Sequence, residues 1–483
     1  MKSTRNIKHL ADIEDEVLRY AKEFNRTLPE MRFFVTDETE FMSLLEKGVY
    51  PTSPPNFWEG QDMVKRKQRV ESGQESSVYF EVVQTGNPSY AYLNNGNNDT
   101  MQASVMAHVV GHCEFSELNV MGDSDDWRTE WIMHLAKRVD ISREKMGDSA
   151  YFNYWIPIQS LIPFINPNSR FNLENSVEDY NNSVPDELKT EKEEAEEEAF
   201  MPFSSTMNEL FNIGNDETKI IDKANKKKTV DEEISRKGFN LKLPCEDIFG
   251  FLMKYAPKSD SEKDLLTYVY NVYKHQDFVR RTQIMNEGWA MYWEKEIMLK
   301  LFSDKTVNGV TDYAKCFSGV CYPRPFFQRN PYQMGFNMWH KIKERYNKGI
   351  YTPEYYREED ANVKANWDKP LPEGSLTDMQ FMETIVKSNT DYNFINRFME
   401  HQDIRDLYLN RVPHQYGINW GKDDLENEDE YNSYVKPEIV KDWMLDFFTS
   451  YNRPRMYVID TDFENGGLLL YHRDDGKRLK EDW

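Results

Sequence analysis

The chain has 483 residues, of which 30% are charged and 39% hydrophobic, and its formal net charge is −23. That length leaves room for two to four domains with buried cores. A surface this acidic argues against broad binding to nucleic acid or to anionic lipid, both of which require basic patches.

In chain order, residues 8–27 alternate apolar and charged side chains at helical period and predict an amphipathic helix. A strand-like run follows at 78–84, then a turn at Asn87-Pro88. Residues 101–120 predict a largely apolar helix. The next helix begins near Asp125 or Asp126 and ends at Gly147. Residues 172–235 carry "DELKTEKEEAEEEAF" and "KANKKKTVDEE". Such blocks of charge bury too little apolar surface to offset their ordering entropy, so a solvated, mobile insertion is expected. Helical periodicity resumes with "EDIFGFLMKYA" and "MNEGWAMYWEKEIMLKLF". In "RNPYQMGFNMWHKIKERY", Asn330 is a natural N-cap and Pro331 suits the first helical position. Near the end, two strand-like runs flank "ENGG" and predict a β-hairpin.

The expected fold is mainly α, of the α+β class, with a small C-terminal β-hairpin region. The divisions expected are 1–171, the acidic insertion 172–235, a helical part 236–385 and an α+β part 386–483. Aromatic residues make up 14% of the chain and many fall in helical segments, which predicts aromatic cores. The four cysteines, Cys113, Cys245, Cys316 and Cys321, are too scattered for a four-thiolate zinc site and suit a reducing compartment. No signal-peptide core and no run of about 18 apolar residues occurs, so a cytoplasmic protein without membrane insertion is expected.

The stretch "VMAHVVGHCEF" carries His108 and His112 four residues apart. At ~100° per residue the two lie only ~40° apart around a helix, so both imidazoles can hold one cation. A third ligand should be a carboxylate from another helix. Glu287, in "MNEGWAMYWEKE", is a charge inside an apolar-aromatic helix, which is costly unless paired. Glu294 lies seven residues on and returns to within ~20° of the same face. Gly111 weakens its helix and points to close approach by another element. The pair Glu130 and His134 has the same i,i+4 spacing but sits among charges, as on a solvated face.

The base of such a site is less defined. An HExxH helix places a glutamate directly after the first histidine, where it activates the water on the metal. Here that position is Val109. Glu114 could serve only if the helix broke after His112, because otherwise it projects ~140° from the histidine face. Glu294 is the better placed, either as fourth ligand or as base. A di-iron carboxylate bundle would need paired Glu-x-x-His motifs, which the chain lacks.

Taken in order, "NPSYAYL", "MAHVVGHCEF", "MNEGWAMYW" and "NPYQMGF", followed by "RPRMYVIDTDFENGGLLLYHR", resemble the SpoVR family (stage V sporulation protein R). The resemblance implies a cytoplasmic prokaryotic protein linked to spore cortex formation or to stress responses. It also implies a PrkA-type serine protein kinase and a von Willebrand A-like protein as partners. The His and Glu motifs resemble those of zincin-like metallopeptidases, which implies zinc held by His108, His112 and Glu287. In that reading Glu294 is a ligand or base, Glu114 a fallback base, Tyr332 an auxiliary donor and Asn286 a support for Glu287. The chain departs from the family pattern at Glu294, where many members carry histidine. Asn87 and Tyr90 are expected in turn and core. The alternative is a scaffold that docks to the kinase complex and holds a structural metal or a polar core.

Overall fold

The computed structural model describes residues 1–37, 40, 41, 44, 82–122, 127–166, 244–451, 453–463 and 467–473. The expected insertion at 172–235, the first residues of the 78–84 run, and Asp125 and Asp126 lie outside the described residues. Contacts sort the chain into two units, Met1–Ile141 with His275–Tyr451, and Ser142–Lys274 with Asn452–Trp483.

The first unit opens with β1 (Lys2–Ser3) and α1 (Lys8–Glu23). Leu10, Ile13, Val17, Tyr20 and Ala21 form the buried stripe of α1. The helix stops short of the expected Thr27 because Asn25 takes a left-handed φ of 57°. The strands β2 (Met31–Thr36), β3 (Val82–Gln84) and β4 (Ser89–Asn94) complete a sheet of order β1-β2-β4-β3. Its central pair, β2 and β4, is parallel, with Phe33 opposite Ala91. Next comes α2 (Asp99–Leu118), the histidine helix, capped by the Asn98 side chain on the Met101 N–H. Every residue of α2 from Thr100 to Ser116 is buried, so the helix is enclosed on all sides.

Both units receive residues of α3 (Arg128–Met146), which ends before Gly147 at φ 77° as expected. In the second unit lie α4 (Asp148–Ser160) and α5 (Ile248–Tyr255). The long α6 (Asp260–Ser303) contributes to both units, and its later part carries the "NEGWA" segment. In the first unit α7 (Val310–Val320) and α8 (Pro331–Asn347) follow. Asn330 caps α8 on the Gln333 N–H, with Pro331 first in the helix. Then come α9 (Asp378–Ser388), α10 (Asp391–Phe398), α11 (His401–Asp406), the sheet β5-β7-β6 and α12 (Pro437–Ser450). In that sheet β5 is Arg411–Pro413, β6 is Leu425–Glu428 and β7 is Asn432–Val435. In the second unit β8 (Met456–Phe463) pairs antiparallel with β9 (Gly467–His472), forming the hairpin. The mainly helical α+β class is therefore observed.

Three glycines set the spacing of α2, α6 and α8. A Cβ on Gly111 would lie 2.5 Å from the Ala290 Cα, and one on Gly335 would lie 2.0 Å from the Ile284 oxygen and 2.7 Å from the Gly288 Cα. Backbone thus meets backbone on two sides of α6, which only residues without a side chain permit. Around the crossing is the expected aromatic core. Trp289 and Trp339 meet edge to face at 5.1 Å, and Trp339 meets Phe394 at 4.9 Å. Asp391 braces α6 one turn before Glu287, accepting from the Ile284 and Met285 N–H groups at 2.8 and 3.0 Å.

Candidate metal centre

The close crossing of α2 and α6 brings six polar side chains into a buried space. His108 and His112 lie one turn apart on α2 with ring centroids 4.6 Å apart. Glu287 faces both from α6, its Oε2 lying 3.5 Å from His108 Nε2 and 3.3 Å from His112 Nε2. The other ring nitrogens are anchored. His108 Nδ1 donates to Glu294 Oε2 at 2.8 Å, and His112 Nδ1 donates to Asn286 Oδ1 at 2.9 Å. Ser104, one turn before His108, donates to the second Glu294 oxygen at 2.6 Å.

These contacts define the protonation of the rings. A carboxylate accepts only, so the proton of His108 is on Nδ1, and the anchored Nδ1 of His112 has the same effect. Each neutral ring then turns an Nε2 lone pair toward the Glu287 carboxylate. Acceptors facing one another across a buried space repel unless a cation or extra protons lie among them. Burial pushes the Glu287 carboxyl up, but imidazoles that carry the extra protons, His112 foremost, outweigh it and bring it down to about 2, so positive charge in this space keeps Glu287 ionised. Its Oε2 is buried and makes no hydrogen bond.

The spacing is longer than that of a charge-assisted hydrogen bond. Charge-assisted N–H···O bonds run about 2.7–2.9 Å. Zinc bonds of about 2.0–2.1 Å at tetrahedral angles put neighbouring ligands about 3.3–3.4 Å apart. The separations of 3.3 and 3.5 Å are nearer the second figure. The ligand atoms of His108, His112 and Glu287 all lie within 4.8 Å of one another, so these residues could hold one ion.

The remaining expected residues fall elsewhere. Glu294 shares the face of α6 with Glu287 but meets the opposite, Nδ1 edge of His108, so it holds that ring and stands outside the three-atom cluster. Glu114 is turned away, because α2 continues unbroken to Leu118. It pairs with buried Arg26 at 3.1 Å and accepts from Trp289 Nε1 at 3.0 Å and from the Thr27 N–H. Asn286 supports His112, where Glu287 had been expected. Tyr332 sits beside the site, its ring 6.1 Å from that of His108. Glu130 binds the Tyr90 hydroxyl, while exposed His134 stacks on Trp131 at 5.5 Å, so these two form no site. Asn87 lies in the turn, and Tyr90 is half-buried on β4.

Sequence reading missed Ser104, although its place four residues before His108 is a signal. It also missed Tyr313 of α7, whose phenol is pushed up by burial and by the charge of Glu294.

A family profile described as "SpoVR like protein" matches residues 4–445. The chain belongs to the SpoVR family. Another protein similar to this SpoVR chain is the "Uncharacterized protein YcgB" of Escherichia coli (strain K12). It is 23% identical over 408 residues, which cover 81% of this chain and 72% of that protein. No solved structure matches the chain. Among the described residues of this SpoVR protein, no helix is long and apolar enough to cross a membrane.

Proposed function

We propose that this SpoVR-family chain binds one zinc ion through His108, His112 and Glu287 and acts as a metal-dependent, peptidase-like hydrolase on amide bonds. The observation that carries this is the pair of 3.3 and 3.5 Å separations between Glu287 and two imidazoles whose other nitrogens are already anchored. A zinc ion there would polarise a carbonyl and lower the pKa of its water. Glu294 and Asn286 keep both Nδ1 protons in place, so each Nε2 stays a lone-pair donor. Tyr332 is the auxiliary hydrogen-bond donor. In this proposal the core is zincin-like, with the histidine pair on one helix and the carboxylate on a second. A role in spore cortex formation or stress response is part of the same proposal.

A second reading is favoured by one observation: Glu294 is held by both His108 and Ser104, so it is not free to take a proton from water. In that reading the ion is structural, and the protein is a scaffold for a PrkA-type kinase and a von Willebrand A-like protein.

Elemental analysis of the purified protein tests both readings. One zinc per chain, lost in His112→Ala, is expected; no stoichiometric metal would remove the hydrolase. Cobalt-substituted protein then separates the two. A visible spectrum that changes on adding acetohydroxamate indicates an open coordination position and an enzyme, whereas an unchanged spectrum indicates a closed structural site.

A further inference from the structure

A cavity of about 350 Å³ opens beside the metal centre, within the first unit. His108, Glu294, Ser104 and Tyr332 line it, together with Arg324 and Arg329. His108 and Glu294 are buried, Arg329 is half-buried and Arg324 is exposed, so the lining joins buried polar groups to cationic ones that reach solvent.

The arginines stand out in a chain of net charge −23. Glu294 is the only carboxylate among the described residues that line the cavity, and it is fully engaged by His108 and Ser104. Arg329 is held with its guanidinium carbon 3.3 Å from the centre of the Phe447 ring. Its Nη1 is buried and has no hydrogen-bond partner. Asp391, which acts on Arg329 electrostatically, has both oxygens committed to the N–H groups of Ile284 and Met285. The planar guanidinium presents paired donors that match a carboxylate.

We infer that Arg324 and Arg329 receive the free carboxylate of the substrate, which makes the substrate class a short acyl compound, such as the C-terminal segment of a peptide, whose amide bond lies toward His108. For the reaction this rests on the hydrolase reading; for binding it rests on the cavity alone. The volume is at the low end of the roughly 300–1,000 Å³ of ligand pockets, which limits the bound segment to about two residues.

Isothermal titration of the full chain, zinc-loaded and chelated, with N-acetyl-Ala-Ala and with its C-terminal amide tests this. The acid should bind at least ten-fold more tightly than the amide in both preparations. Arg324→Gln and Arg329→Gln should each weaken the acid about ten-fold, leaving the affinity for the amide and the zinc content unchanged. Arg324 is exposed, so its variant reports on binding even if Arg329→Gln fails to fold. Equal affinity for acid and amide, or an unaltered Arg324→Gln, overturns the inference. Inorganic phosphate that displaces the acid and binds more tightly assigns the arginines to a phosphoryl group and also overturns it. Discrimination between acid and amide in a protein that never takes up zinc leaves this inference standing while the hydrolase reading falls. Zinc uptake without that discrimination does the reverse.

Discussion

Glu294 Oε2 lies 2.8 Å from His108 Nδ1, on the far edge of the ring from Glu287. A carboxylate in that place fixes the tautomer and raises the basicity of Nε2. Glu294→Gln should therefore lower zinc affinity by about 10- to 100-fold without abolishing binding. Competition against a chromophoric chelator measures this. Complete loss of stoichiometric zinc in this variant would make Glu294 a ligand and contradict the assignment.

Gly111 and Gly335 set how near α2 and α8 come to α6. The Cβ of Gly111→Ala would clash with the Ala290 backbone, and that of Gly335→Ala with the Ile284 carbonyl. Overpacking of this kind costs about 1–3 kcal/mol. Both variants should unfold at lower urea concentration, and Gly111→Ala should also weaken zinc binding, because it pushes the histidines away from Glu287. A Gly111→Ala protein with native stability and zinc affinity would show that the helices are not held at this distance.

Glu114 lies away from the candidate metal ligands and should act on stability, not on zinc content. Its partner Arg26 is 4% exposed, and Glu114→Ala would leave that buried charge with Glu383 as its one remaining carboxylate partner among the described residues. Breaking a buried pair outright costs about 3–5 kcal/mol, and the remaining Glu383 contact puts this loss at or below the lower end. The expected result is a large fall in the denaturation midpoint with zinc stoichiometry intact. Loss of zinc from a fully stable Glu114→Ala protein would return Glu114 to the site.

His340 supplies a dependence on pH. Burial, with Lys295 and Lys343 nearby, pushes its imidazole down to about 4, whereas the unfolded chain has the ordinary value of about 6.5. The unfolded state therefore takes up the proton first as pH falls. The contribution of neutral His340 to stability is full above about pH 6.5 and is lost progressively toward pH 4. Urea midpoints at pH 7 and pH 5 should differ less in His340→Gln than in the unaltered protein. Equal differences would mean that His340 titrates normally in the folded chain.

Much of the helical frame was legible before any coordinates. Asn330-Pro331 predicted the start of α8, because a side-chain cap and a residue lacking an N–H both suit a first turn. Gly111 signalled a close neighbour, and that neighbour is Ala290. The role of Glu294 was not legible. Helical periodicity correctly placed it on the face of Glu287, but seven residues also separate them by about 10 Å along the axis. Two such carboxylates reach opposite edges of one imidazole more readily than a single ion. Asn286 was foreseen as a support, but which side chain it supports depends on how α6 is rotated against α2.

Local chemistry in the chain was enough to put the two histidines on one helical face and a charged glutamate in an apolar helix, since both follow from spacing within a single element. Whether those helices touch, which nitrogen of each ring faces Glu287, that Glu114 turns to Arg26, and that two arginines share a cavity with His108 were decided only by tertiary packing. Such relations join residues as far apart in the chain as His108 and Arg329, and no periodicity within one helix encodes the distance or rotation of another.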